Sequence, residues 1–212
     1  MTVNIKQCIL RNRIKYTFML RIFKEVICDW RVIYVKKKYS ELAACALMAA
    51  LLCVLSPFSI PVGPIPVNPA IFVVCLASYI LGAKGAFLSV LVYLLLGLAG
   101  LPVFSGFSGG LGKLAGPTGG YLIGYLFTAF IAGWAAEKSG RRIVISFFGM
   151  IVAVAAAYFF GTVWFVISAN AELGYALSVC VLPFIPFDIA KTAAALLLGR
   201  AIRGALSRAG LI

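Results

Sequence analysis

Pro183-Phe184-Ile185-Pro186-Phe187-Asp188-Ile189-Ala190-Lys191 lies inside an apolar stretch that runs from about Ala176 to Leu198. A charged side chain at mid-bilayer costs roughly 2.5–3.5 kcal/mol on insertion scales, so one inside a membrane segment usually faces a cavity, a partner or a substrate. Three-residue spacing puts Asp188 and Lys191 on one helix face. There they neutralise each other and still present an acceptor and a donor side by side. Pro183 and Pro186 stand just before the pair and predict a helix break. Asp188 then falls near a helix start, where the dipole favours an anion. A structural ion pair, or a Lys191 that snorkels to the interface, would account for the same residues. No other acid falls within a predicted span, which favours a polar binding site built into a membrane bundle.

Working outward, the 212 residues are 63% hydrophobic and only 12% charged. A soluble domain carries about 25% charged residues, so this chain cannot cover a soluble surface. Apolar runs fall at about Leu42–Phe58, Ala70–Leu81, Gly85–Ala99, Tyr121–Ala136, Ile143–Ala169 and Ala176–Leu198. They predict an all-α bundle of six transmembrane helices. Continuous runs of this kind argue against an outer-membrane barrel, whose strands alternate over about ten residues. The second run is short for a span of about 20 residues, and a proline-rich turn, Pro57 to Pro69, precedes it.

The net charge of +13 is concentrated between the runs and at the ends. It is therefore a topology signal and gives no support to nucleic-acid binding. Lys84, Lys138, Arg141 and Arg142 lie in even-to-odd turns, and Arg200, Arg203 and Arg208 lie at the C-terminus. The opposite turns carry only Lys113 and Glu172. The positive-inside rule then places both termini in the cytoplasm of a multi-pass cell-membrane protein. Residues 1–40 carry ten Lys or Arg with apolar residues interleaved and predict a basic amphipathic extension lying on membrane lipid, with residues 41–212 as the membrane domain. Six cysteines without Cys-x-x-Cys spacing, and no histidine, argue against a zinc or haem site. Neither a metal nor a cofactor is expected.

The longest connection, Gly100–Gly120, is rich in glycine and aromatics and has Lys113 as its one charge. It reads as a lid folded into the non-cytoplasmic mouth of the bundle, because irregular backbone at membrane depth is tolerated inside protein or lining a cavity. A structural loop capping the fourth helix is the plainer alternative. Gly106 to Lys113 fails as a phosphate loop: Leu114 stands where Ser or Thr would bind Mg²⁺. Energy for uphill movement must come from a partner or an ion gradient. Ala46-x-x-x-Ala50 and Gly120-x-x-x-Gly124 are small-residue patterns that suit either internal packing or a partner surface.

Three motifs, Leu101-Pro-Val-Phe104, Gly116-Pro-Thr-Gly-Gly-Tyr121 and Pro183-Phe-x-Pro-x-Asp-x-x-Lys191, occur together in that order. In this the chain resembles the BioY family, the substrate-binding S components of biotin transporters in the energy-coupling factor class. The likeness runs from about Ala43 to Arg200. It implies a six-helix, non-enzymatic fold that captures biotin near the outer face. It also implies that Asp188 and Lys191 supply polar recognition, and that Phe104, Gly116, Pro117, Thr118, Gly119 and Tyr121 line or shape the site. Ala46 and Ala50 match the pattern by which such components meet a transmembrane coupling subunit, which joins two ATPase subunits. The chain departs from the family at Asn68-Pro69-Ala70 and at Phe187, and no ligand contact is carried over to those positions. The residues alone leave open another vitamin, an ion-coupled small-molecule carrier with Asp188 titrating, and a structural membrane protein without a ligand.

Overall fold

The computed structural model describes residues 39–60 and 66–209. Of the amphipathic extension expected over residues 1–40, residues 1–38, with Cys8, Cys28 and the Lys36–Lys38 run, lie outside the described residues, and Tyr39 and Ser40 belong to the first helix. Among the described residues seven helices follow in order: α1 (Tyr39–Leu55), α2 (Ala70–Leu98), α3 (Leu111–Ala115), α4 (Gly119–Lys138), α5 (Ile143–Ala169), α6 (Leu173–Cys180) and α7 (Ile185–Arg208). Among the described residues there are no strands, only the isolated bridges Ile60–Val67 and Phe104–Ser108. Helices α2, α4 and α5 are long and apolar enough to cross a membrane. A fourth span is reached if α6 and α7, bent by 45° at their break, count as one.

Helix α2 is not straight. Gly82 has φ 80° and ψ −172°, far from helical values. The neighbours on either side show what this does. Asn68, just before α2, donates through Nδ2 to Ser105 Oγ at 2.7 Å. The Gly97 carbonyl, near the end of α2, accepts from Gly110 N–H at 2.7 Å. Both ends of α2 therefore reach the same loop. A straight helix of this length would hold them about 40 Å apart. The chain turns back at Gly82, between the runs Ala70–Leu81 and Gly85–Ala99 that the sequence separates. Only glycine fits there: the positive φ strains any other residue, and an added Cβ would overlap the Glu137 carboxylate.

The turn leaves the carbonyls at the end of the first half-helix without intrahelical partners. Arg141 Nε donates to the Tyr79 carbonyl at 3.1 Å, and the Arg203 guanidinium donates to the Ile80 carbonyl. The Tyr79 hydroxyl returns a bond to the Arg141 carbonyl at 3.0 Å. Cations are favoured at a helix C-terminus, so these arginines stabilise the turn from the end opposite the Gly100–Gly120 loop.

Small residues set the packing of α4. Gly120 lies against Trp164 and Phe160, and Gly124 against Ala157. The Gly120-x-x-x-Gly124 pattern therefore serves internal α4–α5 contact. Buried hydroxyls bridge helices as well: Thr128 Oγ1 donates to the Ala153 carbonyl and Ser89 Oγ to the Cys45 carbonyl, both at 3.0 Å. Helix α5 is peripheral, with 28% of its most apolar window buried against 67% for α2. Val144, Phe148, Val152, Phe159 and Ile167 are exposed along it. Such a continuous apolar face is out of place in water and ordinary against lipid tails.

Candidate functional site

The site forms where the link before α2, the lid loop and the starts of α4 and α7 meet. Its centre follows from the break between α6 and α7. Helix α7 begins at Ile185, with Pro186 in its first turn, where the missing N–H costs no hydrogen bond. The Asp188 N–H bonds the Phe184 carbonyl at 2.8 Å, which fixes Asp188 in the opening turn. On the other side of the break, the Tyr121 hydroxyl donates to the Cys180 carbonyl at 2.9 Å. The two prolines thus produce the interruption expected of them, and Tyr121 satisfies the last residue of α6.

Asp188 is 3% exposed and Lys191 20%, and their Oδ1 and Nζ atoms are 2.9 Å apart. Asp188 Oδ2 accepts from the Tyr158 hydroxyl at 2.7 Å. Lys191 Nζ also donates to the Asn68 carbonyl at 2.9 Å. An ammonium has three N–H donors, so one remains for another acceptor, and each carboxylate oxygen keeps a lone pair. The predicted ion pair is therefore real, held from α5 by Tyr158 and from the link before α2 by Asn68. Buried pairs of this kind tolerate loss of one partner badly, because the other is left charged and unpaired.

The pair opens into a pocket whose walls include Pro66, Asn68, Ile71, Phe104, Ser105, Lys113, Thr118, Tyr121, Leu122, Tyr125, Tyr158 and Phe184. About 520 Å³ of it is free of protein atoms, its open mouth included. Aromatic and aliphatic surfaces surround a few convergent polar groups, the usual make-up of a small-molecule site. Its chemistry suits a compact polar group with both donors and acceptors, carried on an apolar body.

Of the residues singled out by sequence, Phe104, Thr118, Tyr121, Asp188 and Lys191 line this pocket. Phe104 is fully buried, edge-on to Tyr93 with ring centroids 5.5 Å apart, and seated on Gly97. Gly116, Pro117 and Gly119 are not in the wall. The Gly116 carbonyl accepts from Trp164 Nε1 at 3.0 Å, Pro117 is exposed, and Gly119 lies against the Leu114 carbonyl. Gly116 and Gly119 anchor the end of the loop, next to Thr118 and Tyr121 in the wall. Ala46 and Ala50 are exposed on α1, on the face that also bears Leu47 and Val54 and turned from the buried Cys45, Met48 and Ala49.

Sequence inspection missed Asn68, Tyr125 and Tyr158 in the wall. Asn68 is the busiest of them. Its Nδ2 bonds Ser105, its Oδ1 accepts from Ala70 N–H at 3.2 Å and from the Tyr125 hydroxyl at 3.4 Å, and its carbonyl holds Lys191. The polar residue between Val67 and Pro69 was the available signal. Nothing in spacing linked it to a lysine 123 residues away. Among the described residues no group of three or more His, Cys, Asp or Glu is placed to hold a metal.

Comparison with known proteins places this arrangement. Residues 31–208 match the BioY family. The chain is 39% identical over 167 residues to a probable biotin transporter BioY of Pyrococcus horikoshii, covering 79% of this chain and 98% of that one. It is 41% identical over 153 residues to a biotin transporter BioY of Thermotoga maritima, covering 71% and 79%. A crystal structure of the S-component for biotin from an ECF-type ABC transporter superposes with a TM-score of 0.74 at 30% identity, covering 79% of this chain and 92% of that one. Sequence and fold agree: the chain is a member of the BioY family.

Proposed function

We propose that this chain captures biotin in the membrane and hands it to an ATP-driven module, as the S component of an energy-coupling factor transporter. The observation that carries this is the buried Asp188–Lys191 pair at the head of α7, opening into a pocket with aromatic walls. Biotin's ureido ring has two N–H donors and a carbonyl acceptor. The carboxylate lone pairs suit the donors, and the remaining ammonium N–H suits the carbonyl. Phe104, Tyr121 and Phe184 offer surface to the fused ring and aliphatic chain, while Gly116, Pro117 and Gly119 hold the loop that shapes the wall. The role is transport rather than catalysis.

In a bilayer, six segments would cross: α1, the two halves of α2, α4, α5, and α6 with α7 as one bent span. The pocket would face the outer leaflet, with the arginines at the Gly82 turn and both termini in the cytoplasm. The exposed Ala46 and Ala50 give α1 a small-residue face on which a coupling subunit can pack closely. That subunit would bring the two ATPases.

Equilibrium binding of labelled biotin to the purified chain in lipid nanodiscs, with competition from a panel of other vitamins, tests the ligand. Saturable binding that only biotin and its analogues compete away is expected; no binding, or displacement by an unrelated vitamin, overturns the assignment. Replacing Ala46 or Ala50 with Trp should abolish uptake and spare binding. Undiminished copurification with the coupling subunit would count against that face.

A further inference from the structure

We propose that Lys113 is the anion-recognition group of this pocket, taking the carboxylate at the end of the ligand's aliphatic chain while Asp188 and Lys191 hold the polar ring. The proposal rests on biotin being the ligand. Three observations support it. First, among the described residues the charges lining the pocket are Asp188, Lys191 and Lys113. Asp188 and Lys191 neutralise each other at 2.9 Å, so Lys113 leaves the pocket with one uncompensated positive charge, which an anionic ligand would balance.

Second, the Lys113 ammonium has no hydrogen-bond or ion-pair partner among the described residues, although the side chain is half-buried in the pocket wall. The other pocket lysine is engaged by contrast, with an anion and a carbonyl. An ammonium against an apolar wall with no acceptor is poised to gain from one.

Third, the backbone that carries Lys113 is fixed. It sits in the last turn of α3, its N–H bonds the Gly110 carbonyl at 3.3 Å, and the following turn is tied by Trp164 to Gly116. The lysine is therefore held at the pocket by a built segment of the lid loop. A ligand bonded to Asp188 and Lys191 at one end and Lys113 at the other would tie the loop to α7, and release would require breaking the tail contact first.

The test is a comparison of biotin with biotin amide, its uncharged analogue, on the full chain in nanodiscs. Wild type should bind biotin roughly 10–100-fold more tightly than the amide, the range for a hydrogen bond to a charged group. Lys113→Gln should lose that preference by weakening biotin alone, leaving the amide within about threefold of wild type, as expected for a group removed from the ligand that lacks its partner. Lys113→Arg should restore most of it. Amide binding reports that the variant is folded. Equal affinity of wild type for both ligands, or equal weakening of both by Lys113→Gln, overturns the role of Lys113 and leaves biotin capture intact. Failure of wild type to bind either compound overturns biotin capture itself, and the lysine's role with it.

Discussion

The half-helix Ala70–Leu81 is gripped at both ends by cations, from α7 at each end and from the α4–α5 turn at one, and the two grips differ in kind. At the Gly82 end, Arg203 and Arg141 donate to the Ile80 and Tyr79 carbonyls. These are carbonyls the turn has stripped of partners, at a helix end where positive charge is favoured. At the Asn68 end, Lys191 donates to a carbonyl that precedes the helix, where the dipole opposes a cation. It stays there because Asp188, itself held by Tyr158, compensates it. One end has the simplest electrostatic solution for closing a turn. The other keeps two buried charges where apolar residues of similar volume are often as stable. The expensive arrangement is the one that lines the pocket, and that contrast separates scaffold from site more cleanly than burial does.

Breaking the pocket-side grip should have the largest effect. Asp188→Asn or Lys191→Ala leaves one buried charge unpaired, and we expect a loss of about 2–5 kcal/mol in biotin binding, read by titration calorimetry, with the protein still in the membrane. Wild-type-like affinity in both variants would remove the pair from the site. Tyr158→Phe deletes one hydrogen bond to the carboxylate and keeps the ring. A loss of about 1.5–3 kcal/mol in affinity is expected, and an unchanged affinity would make Tyr158 mere packing.

At the other end the expected effects move from binding to stability. Gly82→Ala forces a Cβ onto the Glu137 carboxylate at a positive φ. Thermal unfolding should register a cost of about 1–3 kcal/mol, while the folded fraction binds biotin normally. Arg203→Gln removes one charged donor and keeps a neutral one. A loss of about 1 kcal/mol in stability and no more than a threefold change in affinity is expected. A larger drop in affinity from Arg203→Gln than from Tyr158→Phe would invert the comparison.

How much of this was legible in the chain depends on distance along it. Asp188 and Lys191 announced themselves as charges three apart in an apolar run, and their prolines announced the break; each signal is local, and each is met in three dimensions. The two apolar runs around Gly82 were legible as well. So was a turn between them, with Lys84 in it; that Gly82 makes the turn was not, because a single glycine at positive φ leaves no mark in hydropathy. Tyr158 and Asn68 reach the pair from 30 and 123 residues away, beyond any periodicity. Gly116, Pro117 and Gly119 were expected in or around the wall, and two of the three work behind it, on Trp164 and Leu114. A motif marks a position that matters without saying whether its side chain or its backbone does the work.

Asn68 fastens Ser105 of the lid, Tyr125 of α4, the first N–H of α2 and, through its carbonyl, Lys191 of α7. Substitutions at these neighbours cannot report independent quantities. Pairwise thermodynamic cycles that include position 68 should show coupling energies well above zero, and any alanine scan of this region that sums single effects will count the same knot several times over.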